Sequence, residues 1–406
     1  MVFGLKLVDE LGHVVHRHTA VMEPLAGPDF KFTLARILFS FSVCQNNHLS
    51  FEFLDTGVHL YSLSTYTRAS WRKGHMCMHE LLIRDYAVDI RDTTEIANRT
   101  CYYDDEHVYF TVCVQNREAV YMEQAVLATF LKDNGCGGIA WPIQNSQGQW
   151  FSKHQSKQHL VFCAKLEDFG NEAALGELLA HFHLRFSHYP YEPKLISSYG
   201  KWKTLWSEKL DYFEERFELM AKQEDHPYCH SLSDIFSYIV GISENAIQYM
   251  RETEQEKRFG ESDQGTVTFY RCTSQLLDPV IWPDELMYDH PARDLAEYIR
   301  PFLLAGPDGA ADEVRGFLAA YESVQPISVF GWRLIYARLL FPVHLFDVLE
   351  ALLAEQEATG QQACLKDLRA LCSAQEQYEQ GLRYFFEMAE VDTRTFDIPE
   401  LDWLAN

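Results

Sequence analysis

The stretch Tyr288-Asp289-His290-Pro291-Ala292-Arg293-Asp294-Leu295-Ala296-Glu297-Tyr298-Ile299-Arg300 reads as a turn feeding a helix. Pro291 has a fixed φ and suits a first-turn position. Asp289 and Asp294 carry short acceptors able to satisfy backbone N–H groups near a helix start. Leu295, Tyr298 and Ile299 recur at helical spacing, which predicts one apolar face. Outward from this point, residues 166–406 read mainly as helix. Glu172–Phe186 places Leu175, Leu178, Leu179, Phe182 and Phe186 on one face. Lys201–Met220 does the same with Trp202, Leu205, Trp206, Leu210, Phe213, Phe217 and Met220. Further helices are predicted over Leu232–Thr253, Arg293–Leu304, Asp312–Glu322, Gly331–Leu340, Val343–Gln356 and Cys364–Met388.

Upstream, residues 79–165 read as a small strand-rich lobe. Thr100–Val114 is β-rich, with Asp104-Asp105 as a turn between two strands. A helix is predicted from Glu118 to Lys132. On it Val120, Gln124 and Leu127 share one side, and Ala119, Met122, Val126 and Phe130 another, with Gly135 ending it. Strand-like text returns at Ile139–Ile143, Trp150–Phe151 and Leu160–Ala164. A strand-plus-helix lobe followed by a helical lobe is an α+β arrangement.

Residues 1–75 stand apart and show no clean helix or hairpin pattern, although Phe32–Val43 suits a short apolar helix. They hold 7 Lys and Arg against 6 Asp and Glu, whereas the whole chain carries 35 against 59, a formal charge of −24. A genuine extra module explains this segment, and so does a start assigned too far upstream. Trp71-Arg72-Lys73-Gly74-His75 precedes Met76 and Met78. With the Arg codon AGG, the Trp-Arg pair back-translates to a purine-rich ribosome-binding sequence. The expected organisation is therefore an extension at 1–75, a small lobe at 76–165 and a large helical lobe at 166–406.

The acidic body repels phosphate backbones and anionic lipid, which argues against nucleic acid and membrane surfaces as partners. Solubility alone accounts for the charge equally well. Ten scattered cysteines without a C-x-x-C pair fit reduced thiols better than a disulfide framework. His226, Cys229 and His230 lack a second ligand pair at zinc-site spacing, so no metal is expected there. The N-terminus shows no secretory signal pattern. The apolar zone Val329–Ala354 is interrupted by Arg333, Arg338, Pro342, Asp347 and Glu350, so it reads as a buried helix pair and not a membrane span.

The Tyr288–Arg300 stretch resembles the element after the metal-binding loop in small-molecule kinases of the aminoglycoside/choline kinase type. Its wording is closest to the YutH/CotS spore-coat branch of that fold. Ala174–His183, Gly200–Asp211, Gly241–Tyr249, Phe330–His344 and Ile398–Leu404 are similar to the same branch, and the resemblance spans about residues 79–406. It implies a two-lobed, protein-kinase-like (aminoglycoside phosphotransferase-like) fold. Within it, Asp289, Pro291, Arg293 and Asp294 form a structural motif. Arg293 is expected to pair with Asp289, and Asp294 to hold the backbone of the catalytic region. Arg333 and Arg338 either line the cleft or pair with surplus acids.

Phosphoryl transfer needs a glycine-rich loop, a strand Lys, a catalytic Asp, and an Asn and a second Asp for Mg²⁺. No G-x-G-x-x-G occurs in the small lobe. Gly135-Cys136-Gly137-Gly138 follows a helix, and the strand His107–Val114 contains no Lys. The family's catalytic loop, H-x-D-x-x-x-x-N, falls on Thr266–Leu277, where no His, Asp or Asn occurs. Tyr270, Arg271 and Cys272 mark this degenerate loop. The metal loop falls on Ile281-Trp282-Pro283-Asp284. Trp282 replaces its first Asp and cannot supply the oxygen that Mg²⁺ requires. Asp284 remains as a turn acceptor or ion contact.

The expectation is a non-catalytic, pseudokinase-like protein without catalytic residue, metal or cofactor. The resemblance implies other spore-coat proteins as partners, and the mother-cell cytoplasm, then the spore coat, as location. The alternative is a divergent ATP- and Mg²⁺-dependent small-molecule phosphotransferase, for which Asp278, Asp284 or Asp289 must supply the carboxylates.

Overall fold

The computed structural model describes the strands at 2–8 and 14–21 and residues 78–97, 99–166, 173–221, 229–306, 310–355, 357–399 and 401. The segment Phe32–Val43, the Met76 start and the side chains of His226, Cys229 and His230 lie outside this description. The chain divides into two compact units, Met1–Gln45 and Asn46–Asn406. In the first, β1 (Val2–Val8) pairs antiparallel with β2 (Val14–Val21), with an irregular register between Leu7 and Val8. This hairpin was not legible in the pattern of residues 1–75. The two runs are valine-rich and flank Gly12, a turn signal that the strong apolar text further on obscures.

The second unit begins with α1 at residues 78–86. A sheet follows, built from β3 (Asp92–Ile96), β4 (Arg99–Tyr103), β5 (His107–Cys113), β6 (Trp141–Ile143), β7 (Phe151–His154) and β8 (Lys157–Lys165). Its order is β3-β4-β5-β8-β6, with β7 also paired to β8. Asp104 makes the predicted turn: its Oδ1 accepts from the N–H groups of Glu106 and His107 at 2.7 and 2.6 Å. β8 is central, and Leu160, Val161, Phe162, Cys163 and Ala164 are all buried, so the run is continuous instead of alternating.

Helix α2 (Glu118–Asp133) packs Tyr121, Gln124, Ala125, Leu127, Ala128 and Leu131 inward. The alternative face through Val126 does not go inside, for Val126 is 42% exposed. The sheet selects the small-residue face because Ala125 and Ala128 allow close approach. Gly135, at φ +74°, ends the helix in the left-handed region that suits glycine. Gly138 (φ +67°) then turns the chain so that its carbonyl accepts from Ile281 N–H at 2.8 Å, and Ala140 N–H donates to the Ile281 carbonyl at 3.0 Å. These bonds stitch the small lobe to the large one.

The large lobe contains a short antiparallel pair, β9 (Thr266–Phe269) with β10 (Leu286–Asp289), among helices. These are α3 (Leu175–Phe186), α4 (Trp202–Ala221), α5 (Cys229–Gln255), α6 (Ala292–Ala305), α7 (Ala310–Glu322), α8 (Val329–Leu340), α9 (Val343–Ala354), α10 (Ala358–Ser373) and α11 (Gln375–Arg383). The predicted single helix Cys364–Met388 is broken into α10, α11 and a last turn at Phe385–Met388. At the first break the buried Gln375 side chain donates to the Leu371 carbonyl at 3.2 Å and meets His344 Nε2 at 3.0 Å. The core runs through α3, α6 and α8, whose Leu179, Leu295, Ile299, Ile335 and Leu339 are buried.

Candidate functional site

The segment that follows β10 is a hub of buried charge. Asp289 is fully buried, and its Oδ2 accepts from Ser198 Oγ (2.5 Å), Trp202 Nε1 (2.8 Å) and Arg293 Nη1 (2.9 Å). Its Oδ1 accepts from His290 N–H at 2.8 Å. Pro291 occupies the residue before α6, and the helix is capped by His290, whose Nδ1 accepts from Ala292 N–H at 3.0 Å. At the helix start, then, Asp289 takes the His290 N–H and His290 the Ala292 N–H, while Asp294 serves no N–H there. Asp294 points away from its own helix start. Its carboxylate accepts from Phe269 N–H at 2.9 and 3.2 Å and meets His183 Nε2 at 3.0 Å. It holds Phe269, the last residue of β9, just before the Tyr270–Cys272 segment. Burial raises the Asp294 pKa, against the opposing hydrogen bond from His183.

Tyr270, Arg271 and Cys272 follow directly. Tyr270 N–H donates to the Glu285 carbonyl at 2.7 Å, and the guanidinium groups of Arg271 and Arg293 lie 4.5 and 5.6 Å from its ring centre. Arg271 forms a forked pair with Asp347, with Nη2–Oδ1 at 2.8 Å and Nε–Oδ2 at 3.3 Å. Cys272 is buried, and burial, with Asp294 and Glu297 nearby, pushes its thiol well above the ordinary range. A thiol so raised stays protonated and is a poor nucleophile.

On the opposite wall, Trp282 is 2% exposed and packs edge-on against Phe110 at 4.6 Å in the small-lobe core. Asp284 follows in a single 3₁₀ turn, Pro283–Glu285. Arg99, at the start of β4, reaches this turn from the first hairpin of the sheet. Its Nη1 donates to Asp284 Oδ2 at 2.6 Å and its Nη2 to Glu285 Oε1 at 2.8 Å, while the guanidinium lies 4.9 Å from the Trp282 ring centre. Burial lifts the Glu285 carboxyl above its usual range, although Arg99 opposes this. The Pro283–Glu285 turn thus carries a protein cation on both of its carboxylates. Asp278 ends a separate 3₁₀ turn, where its N–H donates to the Gln275 carbonyl at 3.2 Å.

Helix α2 is spent on the same seam. Glu123 accepts from the backbone N–H groups of Lys194, Leu195 and Ile196 at 3.1, 2.8 and 3.1 Å. Gln124 Nε2 donates to the Asp284 carbonyl at 3.1 Å. In protein kinases a small-lobe helix Glu pairs with a strand Lys. Here Glu123 ties the two lobes instead.

Beneath the hub lies Glu297, which the sequence reading passed over. It is 4% exposed, with Arg338 Nη2 at 2.7 Å, Arg271 Nε at 3.7 Å and Arg300 Nη2 at 3.8 Å. Burial opposes its ionisation, but Arg338, Arg271, Arg300 and Arg293 outweigh that and hold its carboxyl well below the usual range. Arg338 thus pairs with a buried acid, and Arg333 pairs with Glu256. The sequence assigned no role to Arg99, Glu123, His183 or Glu297. Only the helical spacing of Arg293, Glu297 and Arg300 hinted at one of them.

Among the described residues no group of three His, Cys, Asp or Glu side chains is placed to hold a metal ion. Mg²⁺ needs several hard oxygens at near-octahedral geometry. The loop offers an indole and a carboxylate already engaged by a guanidinium, so its residues do not fit the ion. No helix among the described residues is long and apolar enough to cross a membrane.

A small antiparallel sheet lobe joined to a larger helical lobe is the two-lobed, aminoglycoside phosphotransferase-like α+β fold. A microcompartment-associated aminopropanol kinase is similar in structure at a TM-score of 0.50 and 10% identity, covering 77% of this chain and 98% of its own. An aminoglycoside phosphotransferase from Alicyclobacillus acidocaldarius gives 0.49 at 13% identity, covering 74% and 93%. The family profile described as "Spore coat putative kinase YutH" matches residues 79–385, and the chain belongs to this YutH spore-coat family. The endospore coat-associated protein YutH of Bacillus subtilis is 28% identical over 79% of this chain and 96% of its own. Spore coat protein S of the same organism is 25% identical over 41% of this chain and 50% of its own.

Proposed function

We propose that this protein is a non-catalytic kinase-fold component of the spore coat, made in the mother-cell cytoplasm and acting through contacts with other coat proteins. The observation that carries the non-catalytic reading is the Arg99 clamp. The carboxylate of the degenerate metal loop is bound by a guanidinium at 2.6 Å, and a core tryptophan occupies the neighbouring position. Asp289, the other carboxylate that catalysis could recruit, has both oxygens engaged by protein donors. A buried acid paired in this way is costly to strip of its partner, on the order of 3–5 kcal/mol. The coat assignment is supported by the family match and by the names of the two Bacillus subtilis relatives. A divergent ATP-dependent phosphotransferase would have to displace Arg99 before a metal could reach Asp284.

Calorimetric titration of the purified protein with ATP, with and without Mg²⁺, tests the first part. The expected result is no Mg²⁺-dependent binding in the wild type. Mg²⁺-dependent binding that is lost in Asp284→Ala, accompanied by turnover, would establish the enzyme. Fractionation of purified spores with an antibody to the protein tests the second part, and absence from coat extracts would remove that role.

A further inference from the structure

Between α4, α9 and the Tyr270–Arg271 turn lies a cavity of about 50 Å³. At roughly 10–15 Å³ per water-sized group, it has room for a molecule of a few heavy atoms. Four cationic side chains line it: Lys209, Arg271, Arg293 and Arg338. Each has a carboxylate partner, respectively Glu350, Asp347, Asp289 and Glu297. Of those four acids only Asp347 also lines the cavity. The lining thus holds four cationic residues and one acidic one, the other three carboxylates belonging to residues outside it. Trp206 stacks on Phe341 at 4.6 Å and 5° to form an apolar wall, so water screens these charges poorly.

Two lining residues carry buried donors with no hydrogen-bond partner among the described residues. They are the Tyr270 hydroxyl and Arg338 Nε, the latter on a side chain that is 4% exposed. Native interiors pair almost all such groups, so two on one small cavity call for an acceptor. Burial, and after it the adjacent Arg293, lower the Arg338 pKa against the opposing Glu297 carboxylate.

We propose that this cavity is a binding site for a small oxyanion, a phosphate or a carboxylate. Arg271 and Arg338 would supply charge-assisted donors, the Tyr270 hydroxyl a neutral one and Lys209 a further cation. The inference goes beyond the proposed function, since an anion can bind whether or not the Arg99 clamp excludes a metal.

Calorimetry and thermal melts of the full-length protein with inorganic phosphate, and separately with acetate, test it, using chloride at matched ionic strength as the control. Saturable binding and a raised Tm with either anion, absent with chloride, are expected, and the anion that binds identifies the class. Tyr270→Phe removes only a hydroxyl that bonds to nothing else described, so the fold should persist, and affinity should fall about tenfold. Lys209→Met, which also leaves the Glu350 carboxylate without its partner and is therefore checked for folding by urea unfolding, should weaken binding by a similar factor. No saturable binding of either anion, or binding unchanged in both variants, would overturn the site.

Discussion

At the scale of single residues, Trp282, expected from the sequence to stand in place of a metal-loop aspartate, is a core side chain. The indole joins Phe110, Phe162 and Val280 in the small-lobe core, and Arg99 lies across its face. Restoring a carboxylate at this position should therefore not restore a metal site. Trp282→Asp leaves a large void and buries a charge, so it should lower stability by about 3–5 kcal/mol, read from urea unfolding. A stable variant that gained Mg²⁺ binding would show that the site had merely been waiting for its ligand. How far the residues could be read depended on locality. Trp282, Tyr270 and the pairing of Arg293 with Asp289 lay within a short stretch of sequence. Arg99 could not be read, because its acidic partners lie 185 and 186 residues away and only the folding of the first hairpin brings it to them.

At the scale of elements, helix periodicity located α2 to α9 well, because each has an apolar stripe. It could not choose between stripes on α2. Nor could it show that α6 is buried almost all round, with Arg293, Asp294, Glu297 and Arg300 all inside. Those charges are tolerated because each finds a partner. Arg300 donates to the carbonyls of Arg338, Leu339 and Phe341 at 2.6, 3.1 and 3.3 Å. It thus caps the C-terminal end of α8, where a cation is favoured. Close helix packing also sets a testable limit at α3. A Cβ on Gly176 would lie 2.2 Å from the Phe317 carbonyl oxygen and 2.9 Å from Tyr321 N, both backbone atoms of α7. Gly176→Ala must push the two helices apart and should destabilise by about 1–3 kcal/mol in urea melts. An unchanged unfolding midpoint would mean that the α3–α7 approach is looser than it looks.

At the scale of the whole molecule, Glu297 sits where α6, α8 and the degenerate loop converge. Its carboxyl is held below the unfolded value of 4.5 by the surrounding guanidinium groups. A depressed folded pKa adds stability that is complete above the unfolded pKa and fades as pH falls below it. Glu297→Gln should therefore cost on the order of 3–5 kcal/mol near neutrality. The gap between wild type and variant should narrow as the pH drops below about 4.5, in Tm or urea midpoint. A gap that stays constant from pH 6 to pH 3 would mean that Glu297 is not ionised in the folded protein.

The class of fold and most of the helices of the larger lobe were legible in the sequence. These depend on local periodicity and on residue identity at short motifs, both carried by neighbours along the chain. Folding alone brought together the partners that are distant in sequence: Arg99 on Asp284 and Glu285, and Glu297 among Arg271, Arg300 and Arg338. Charges far apart in sequence acquire their pKa values and partners only when folding removes water and sets their distances.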